Sequence, residues 1–157
     1  MSRPFIPYVI PKLYEIQGKP CVYKLSFNGK YVIVKAKDNV SSITVIQKSL
    51  NQFLKGSEAQ LNKDGLYYHF FNHVAKTKKG EFIVELIEES DNPYILLKKE
   101  QQELDKSVKD KSCLNNATEA YIPQFNDLTG MYGWIPKVAV LNFKKWLKNR
   151  SKSNKSQ

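Results

Sequence analysis

The fold of this chain is decided by residues 20–35, which read PCVYKLSFNGKYVIVK. Two runs rich in β-branched and aromatic residues flank Asn28-Gly29, the pair that most favours a type I′ turn. Such a turn joins two antiparallel strands through two residues, so the stretch predicts a β-hairpin. With a two-residue turn, Tyr31 pairs with Ser26 and points to the face opposite Tyr23.

Helical periodicity follows the hairpin. Apolar residues recur on one helical face from Ile43 to Phe53. Either Asp38 or Ser41 can cap the N-terminus of this helix, and Gly56 ends it. Three further elements are predicted: a helix with the stripe Leu66, Phe70 and Val74 after Asp64-Gly65, a strand carrying Phe82, Val84 and Leu86, and a helix from Asp91-Asn92-Pro93 to about Lys109. This order predicts an α+β fold, with a small, mainly antiparallel sheet flanked by helices.

The two ends of the chain differ from this central domain, residues 21–116. Three prolines in residues 4–11 exclude a helix interior, so residues 1–20 are predicted to form an extended arm that reaches a partner. Residues 117–157 contain an aromatic loop, a helix starting at Pro136 and a basic tail. That helix has apolar residues around much of its circumference, so it either docks on the domain or forms an interface. The predicted interface residues are Phe5, Ile6, Tyr8, Tyr132, Trp134, Phe143 and Trp146.

The net charge of +10 is concentrated at the C-terminus. From Lys137 onward there are seven cations and no acidic residue, which leaves +3 for the first 136 residues. Such a region can bind nucleic acid or an acidic protein surface, and it can also be a solvated tail. The candidate nucleic-acid contacts are Lys144, Lys145, Lys148 and Arg150.

Several classes of protein and site are not expected. The sequence has no run of about 18 apolar residues that could span a bilayer, and its first residues lack a signal peptide, so we expect a soluble protein that is not secreted. Two cysteines support neither a disulfide framework nor a zinc site. His69 and His73 are spaced as i and i+4, but no third ligand has a recognisable spacing. No metal or cofactor is therefore expected.

Between Cys21 and Asn115 the chain resembles small nucleases of the GIY-YIG family. The resembling segments are Cys21-Val22-Tyr23, Val34-Lys35-Ala36-Lys37-Asp38, the strand Glu81–Glu88, the helix with Glu100 and Leu104, and Leu114-Asn115. The resemblance implies hydrolysis of a DNA phosphodiester, in which a glutamate holds one divalent metal, tyrosines position the water and an arginine stabilises phosphate charge. Tyr23 matches the first tyrosine, and Glu100 matches the glutamate.

The chain departs from the family at three positions. The second tyrosine aligns on Val32, the glycine on Val34, and the arginine at or near Ser42. Lys35 or Lys37 could reach a phosphate, but lysine is a point charge and does not reproduce the two-bond contact of arginine. We therefore expect a catalytically inactive domain in which Tyr23 and Glu100 are vestigial.

The resemblance leaves three functions open. Disabled nuclease folds with added arms are similar to small bacteriophage virion proteins, such as the rings between portal and tail in crAss-like phages. This implies a structural subunit that forms homo-oligomers and binds other proteins, in the virion or the host cytoplasm. The second function is a magnesium-dependent endonuclease with a diverged site. The third is an accessory protein whose C-terminal cations bind DNA without cleaving it.

Overall fold

The computed structural model describes residues 8–55, 67–77, 79–115 and 118–155, with side chains up to Arg150. Its centre is a three-stranded antiparallel sheet. The strands are β1 (Cys21–Phe27), β2 (Lys30–Ala36) and β3 (Phe82–Glu89), in the order β2-β1-β3. Together with the helices described below, this sheet confirms the predicted α+β fold.

The predicted hairpin joins β1 to β2. Asn28 and Gly29 have φ angles of 49° and 84°, as a type I′ turn requires. Tyr31 lies opposite Ser26 in the strand register, as predicted. Because side chains alternate along a strand, Tyr23 belongs to the core on one face of the sheet, and Tyr31 belongs to the core on the other.

Three helices cover the two faces of this sheet. Helices α1 (Asn39–Leu54) and α2 (Tyr68–Thr77) share a core with Tyr23, and α3 (Pro93–Ser107) shares a core with Tyr31. Of the two candidate caps for α1, the structure selects Asp38, whose carboxylate accepts hydrogen bonds from the first backbone N–H groups of the helix. The predicted end of α1 at Gly56 and the predicted start of the second helix, at Asp64-Gly65 and Leu66, lie outside the described residues.

The N-terminal segment from Tyr8 onward packs on its own domain, so the prediction of an arm extended away from the domain is wrong for this part. Side-chain amides of α1 form with this segment the backbone hydrogen bonds that a neighbouring strand would otherwise form. Asn51 accepts from the Tyr8 N–H at 2.8 Å and donates to its carbonyl at 3.1 Å, and Asn39 pairs with Leu13 in the same way at 2.8 and 2.9 Å. Ile10 is buried between these anchors. Phe5 and Ile6 lie outside the described residues.

The outer edge of β2 is covered by the segment that follows α3. Tyr31 exchanges backbone hydrogen bonds with Ser112 and Leu114, both at 2.8 Å. One step further, the Asn115 side chain accepts from the Ile33 N–H at 2.8 Å and donates to its carbonyl at 3.0 Å. Asn115 therefore continues the strand pairing with its amide group, which protects an edge that would otherwise be open to association.

The C-terminal region contains a second, smaller antiparallel sheet within the segment predicted to be an aromatic loop. Its strands are β4 (Phe125–Asn126), β5 (Met131–Tyr132) and β6 (Ile135–Pro136). A strand of two residues is too short to show the alternation of apolar and polar residues, so the sequence pattern did not predict these strands. Helix α4 (Lys137–Lys155) follows and is longer than the predicted helix, and Pro136 belongs to β6.

Helix α4 docks on α3 of the same chain. Ala139, Val140 and Phe143 form a buried cluster with Leu97 of α3 and with Ile135. The sequence left open whether this helix docks on the domain or forms an interface, and the structure shows docking. This cluster accounts for the apolar residues on one side of the helix, whereas Val138 and Leu141 are exposed.

Candidate functional site

The glutamate that matches the metal ligand of the nuclease family is held in a buried ion pair. Lys35 of β2 and Glu100 of α3 lie 2.7 Å apart, with side chains only 4% and 6% exposed. The Lys35 ammonium also donates to the Tyr121 carbonyl at 2.5 Å. Burial raises the pKa of Glu100, and the Lys35 ammonium and the Tyr121 backbone amide oppose that rise. The carboxylate that would hold a metal is thus already matched by a cation.

The backbone of Tyr121, in the C-terminal region, covers this ion pair. Tyr121 lies beyond the part of the chain that resembles the nuclease, and its backbone contacts both Lys35 and Glu100. An ordinary surface glutamate on α3 behaves differently: Glu103 reaches Lys99 at 3.6 Å, and both side chains keep substantial exposure. Glu100 is therefore buried in an internal ion pair, unlike Glu103 on the same helix.

Tyr23 is fully buried, and its hydroxyl lies 2.8 Å from the hydroxyl of Ser42. Ser42 is the position at or near which the family arginine aligns, so the hydroxyl that remains there bonds the tyrosine. Burial raises the pKa of Tyr23 far above its ordinary value, with only partial opposition from the hydrogen bond to Ser42. Its hydroxyl therefore stays protonated at neutral pH.

The two vestigial candidates lie on different elements of the fold and have different partners. Tyr23 extends from the sheet face packed by α1 and α2, whereas Glu100 belongs to the helix on the opposite face. Each has its own partner, Ser42 for Tyr23 and Lys35 for Glu100. Val32, on which the second tyrosine aligns, and Val34 fill the core beside Tyr23 with apolar side chains.

An open cleft of about 610 Å³ lies beside these two pairs at the end of β2. Its lining includes Lys35, Ser42 and Tyr67. The polar ends of Lys35, Ser42, Asp38 and Ser41 already bind groups of the chain itself. Lys37 and Tyr67 are the other polar side chains of the lining. A ligand site usually offers several convergent polar groups with free bonding capacity. This cleft offers few of them.

Tyr67 is the residue at this cleft that the sequence did not identify as part of a site. Burial, together with the negative charge of Glu100, raises the pKa of Tyr67. It precedes α2 directly and fitted the apolar pattern of that helix, so the sequence carried no signal that separated it from ordinary core aromatics.

Among the described residues, no group of three or more His, Cys, Asp and Glu side chains could hold a metal ion. The Nε2 atom of His73 lies 2.8 Å from the Phe27 carbonyl, and its ring packs edge-on against the Phe27 ring. His73 therefore ties α2 to the end of β1. Cys21 is buried, and burial raises the pKa of its thiol to about 11.

Of the predicted interface residues that the structure describes, one is buried and four are half-buried against the chain's own cores. Phe143 is 1% exposed, so the prediction that it contacts a partner is wrong. Tyr132, Trp134 and Trp146 are half-buried against the same cluster. The Tyr8 ring packs against Phe27 and Phe82 of its own domain, with centroids 5.8 and 5.6 Å away.

The predicted nucleic-acid contacts divide into two groups. Lys144, Lys145 and Lys148 are exposed on α4. Arg150 instead forms an ion pair with Asp105 of α3 and places its guanidinium 5.0 Å from the centre of the Trp146 ring. Its charge is used to hold α4 on α3, so its assignment as a nucleic-acid contact is not supported.

We expect three of the nine tyrosines to resist ionisation in the folded protein. Burial raises the pKa of Tyr31 to about 12 and raises the pKa of Tyr23 and Tyr67 further. The pKa values of these three tyrosines in the folded state exceed the unfolded value of about 10. The un-ionised hydroxyls therefore contribute stability that is complete below about pH 10 and is lost as the pH rises through about 12. Tyrosinate absorbance against pH, with and without denaturant, measures this. A native titration identical to that of the unfolded chain would contradict the buried hydroxyls.

No helix in the described part of the chain is long and apolar enough to cross a membrane. Comparisons with protein families, with curated proteins and with solved structures found no match, so the resemblance to GIY-YIG nucleases stays a prediction made from the residues themselves.

Proposed function

We propose that this chain is a nuclease-like domain without catalytic activity that serves as a structural or docking subunit of a larger assembly. The observation that carries the proposal is the buried Lys35–Glu100 pair. A metal-dependent nuclease of the family that the chain resembles needs that glutamate free to bind a cation. Here an internal cation holds it, and the backbone of Tyr121 covers it.

The position at which the family arginine aligns supports the same proposal. Ser42 has no charge to offer a phosphate, and its hydroxyl is bonded to Tyr23. Lys35 cannot replace the arginine, since its ammonium is directed to Glu100 and Tyr121. Lys37 is exposed at the cleft, but a single lysine gives only a point charge.

The role as a docking subunit is supported by exposed apolar side chains on the segments outside residues 21–116. Leu128 is 97% exposed in the turn between β4 and β5, and Val9 is 76% exposed on the N-terminal segment. Tyr14, Tyr121, Val138 and Leu141 are at least half exposed. Five further exposed apolar side chains lie on the central domain, and exposed apolar side chains suit contacts with neighbouring subunits. The assembly that we propose is a ring between portal and tail of a bacteriophage particle, built from copies of this chain.

The test is nicking of supercoiled plasmid by the purified chain with magnesium or manganese, together with measurement of its mass in solution. We expect no nicking above the metal-only control, and masses above that of a monomer or binding to a portal or tail protein. Metal-dependent nicking that disappears in Glu100→Gln would establish an endonuclease with a diverged site. A strictly monomeric chain that binds no such protein would remove the proposed assembly.

A further inference from the structure

The outward side of α4 carries four exposed lysines, Lys137, Lys144, Lys145 and Lys148, which we call the lysine stripe. At 3.6 residues per turn, Lys137, Lys144 and Lys148 lie within about 40° of one another around the helix, and Lys145 lies to one side. With a rise of 1.5 Å per residue, the stripe is about 16 Å long. It faces away from the side on which α4 docks through Phe143.

The charge of this stripe is not neutralised within the described part of the chain. None of the four lysines forms an ion pair there. The sequence has no acidic residue after Asp127, and the Arg150 at the end of the described side chains is already paired with Asp105. Lys137 lies 5.0 Å from the centre of the Phe125 ring, which fixes the start of the stripe without cancelling its charge.

The packing of α4 restricts the class of partner. A helix that binds a membrane surface inserts its apolar face between the lipids. In α4 the main apolar face is occupied, since Ala139, Val140 and Phe143 are buried in the chain's own core, and only Val138 and Leu141 remain as exposed large apolar side chains among the described residues of the helix. Protein interfaces are depleted in lysine, because ordering its long side chain is unfavourable. A row of unpaired lysines is instead typical of contacts with the phosphate backbone of nucleic acid.

From these observations we infer that the lysine stripe binds the phosphate backbone of double-stranded DNA. The major groove of B-form DNA is wide enough to admit an α-helix, whereas the deep groove of an A-form RNA helix is too narrow. Base-specific contacts usually need Arg, Asn or Gln in bidentate geometry, and the stripe supplies only lysines. The binding is therefore independent of sequence. The inference holds whether or not the chain cleaves DNA.

The test measures fluorescence anisotropy of a labelled mixed-sequence DNA duplex with the full chain at increasing salt. Four lysines predict a slope of log affinity against log salt of about −3 to −4, so that tripling the salt weakens binding about 50-fold. In the variant Lys144→Gln, Lys145→Gln, Lys148→Gln the slope becomes shallower by about three. The matched control is Lys30→Gln, Lys76→Gln, Lys79→Gln, which removes the same charge from exposed positions near the hairpin turn.

We expect the control variant to change the slope by less than about one. Equal weakening in both variants would show that net charge alone attracts DNA, and it would overturn the stripe as a site. The inference also fails if the wild-type chain does not bind at low salt, or if it binds an RNA duplex more tightly than DNA. Sedimentation of the same proteins tests another copy as the partner. Self-association lost in the stripe variant, without an effect on DNA, would assign the lysines to a protein contact.

Discussion

Glu100→Ala is expected to lower the free energy of unfolding by about 3–5 kcal/mol, and Lys35→Ala by a similar amount. Each change leaves one ion without its partner in a place where the side chains are only 4% and 6% exposed. Moving an unpaired charge out of water is costly, and the remaining group must either change its protonation state or draw water into the core. Chemical denaturation of the purified variants measures the loss.

Two controls separate this expectation from a general effect of mutation. Glu103→Ala removes the acid that pairs with Lys99 and Lys106 on the same helix, where the side chains are far less buried, and it should cost about 1 kcal/mol or less. The double variant Lys35→Met, Glu100→Leu removes both charges and keeps apolar volume, so it should recover most of the stability lost by either single change. If Glu100→Ala costs no more than Glu103→Ala, the pair is not buried in solution.

The double variant also sharpens the test of function. Loss of an activity in a destabilised Glu100 variant could reflect unfolding alone. A folded protein without the pair lacks both the candidate metal ligand and its internal cation. Equal absence of nicking in the wild type and in this variant is the result expected of a structural pair. Nicking by the wild type alone would identify the pair as part of an active site.

Local signals in the sequence predicted the hairpin, the caps and the helices of the central domain. The turn at Asn28-Gly29 needs only its own backbone preference, and Asp38 and Asn92 satisfy N–H groups two or three residues away. Strand alternation correctly placed Tyr23 and Tyr31 on opposite faces. Each of these predictions depends on residues that are close together in the chain.

Contacts between distant residues could not be predicted in this way. Lys35 and Glu100 are 65 positions apart, and Asn39 and Leu13 are 26 positions apart. An asparagine that pairs with a distant backbone has no sequence pattern that distinguishes it from one at the surface. The resemblance to the nuclease family drew attention to Glu100 and Ser42, but their actual partners were found only in the folded chain.

The second large effect is expected for Phe143→Ala, which should destabilise the docking of α4 by about 3–5 kcal/mol. Phe143 is 1% exposed and stacks on Trp146 with ring centroids 5.9 Å apart. Its removal leaves a cavity beside Leu97 of α3. The helix would then separate from α3 at a lower denaturant concentration than the central sheet unfolds.

Tryptophan fluorescence measures this step directly, because both tryptophans of the chain, Trp134 and Trp146, border the cluster around Phe143. We expect a red shift of emission in Phe143→Ala under conditions in which the wild-type chain shows none. Leu141→Ala is the matched control on the same helix, since Leu141 is 52% exposed and should change stability by about 0.5 kcal/mol or less. If Phe143→Ala and Leu141→Ala behave alike, α4 does not dock on its own chain in solution. Its apolar side would then be free to form the interface with another subunit that the sequence left open.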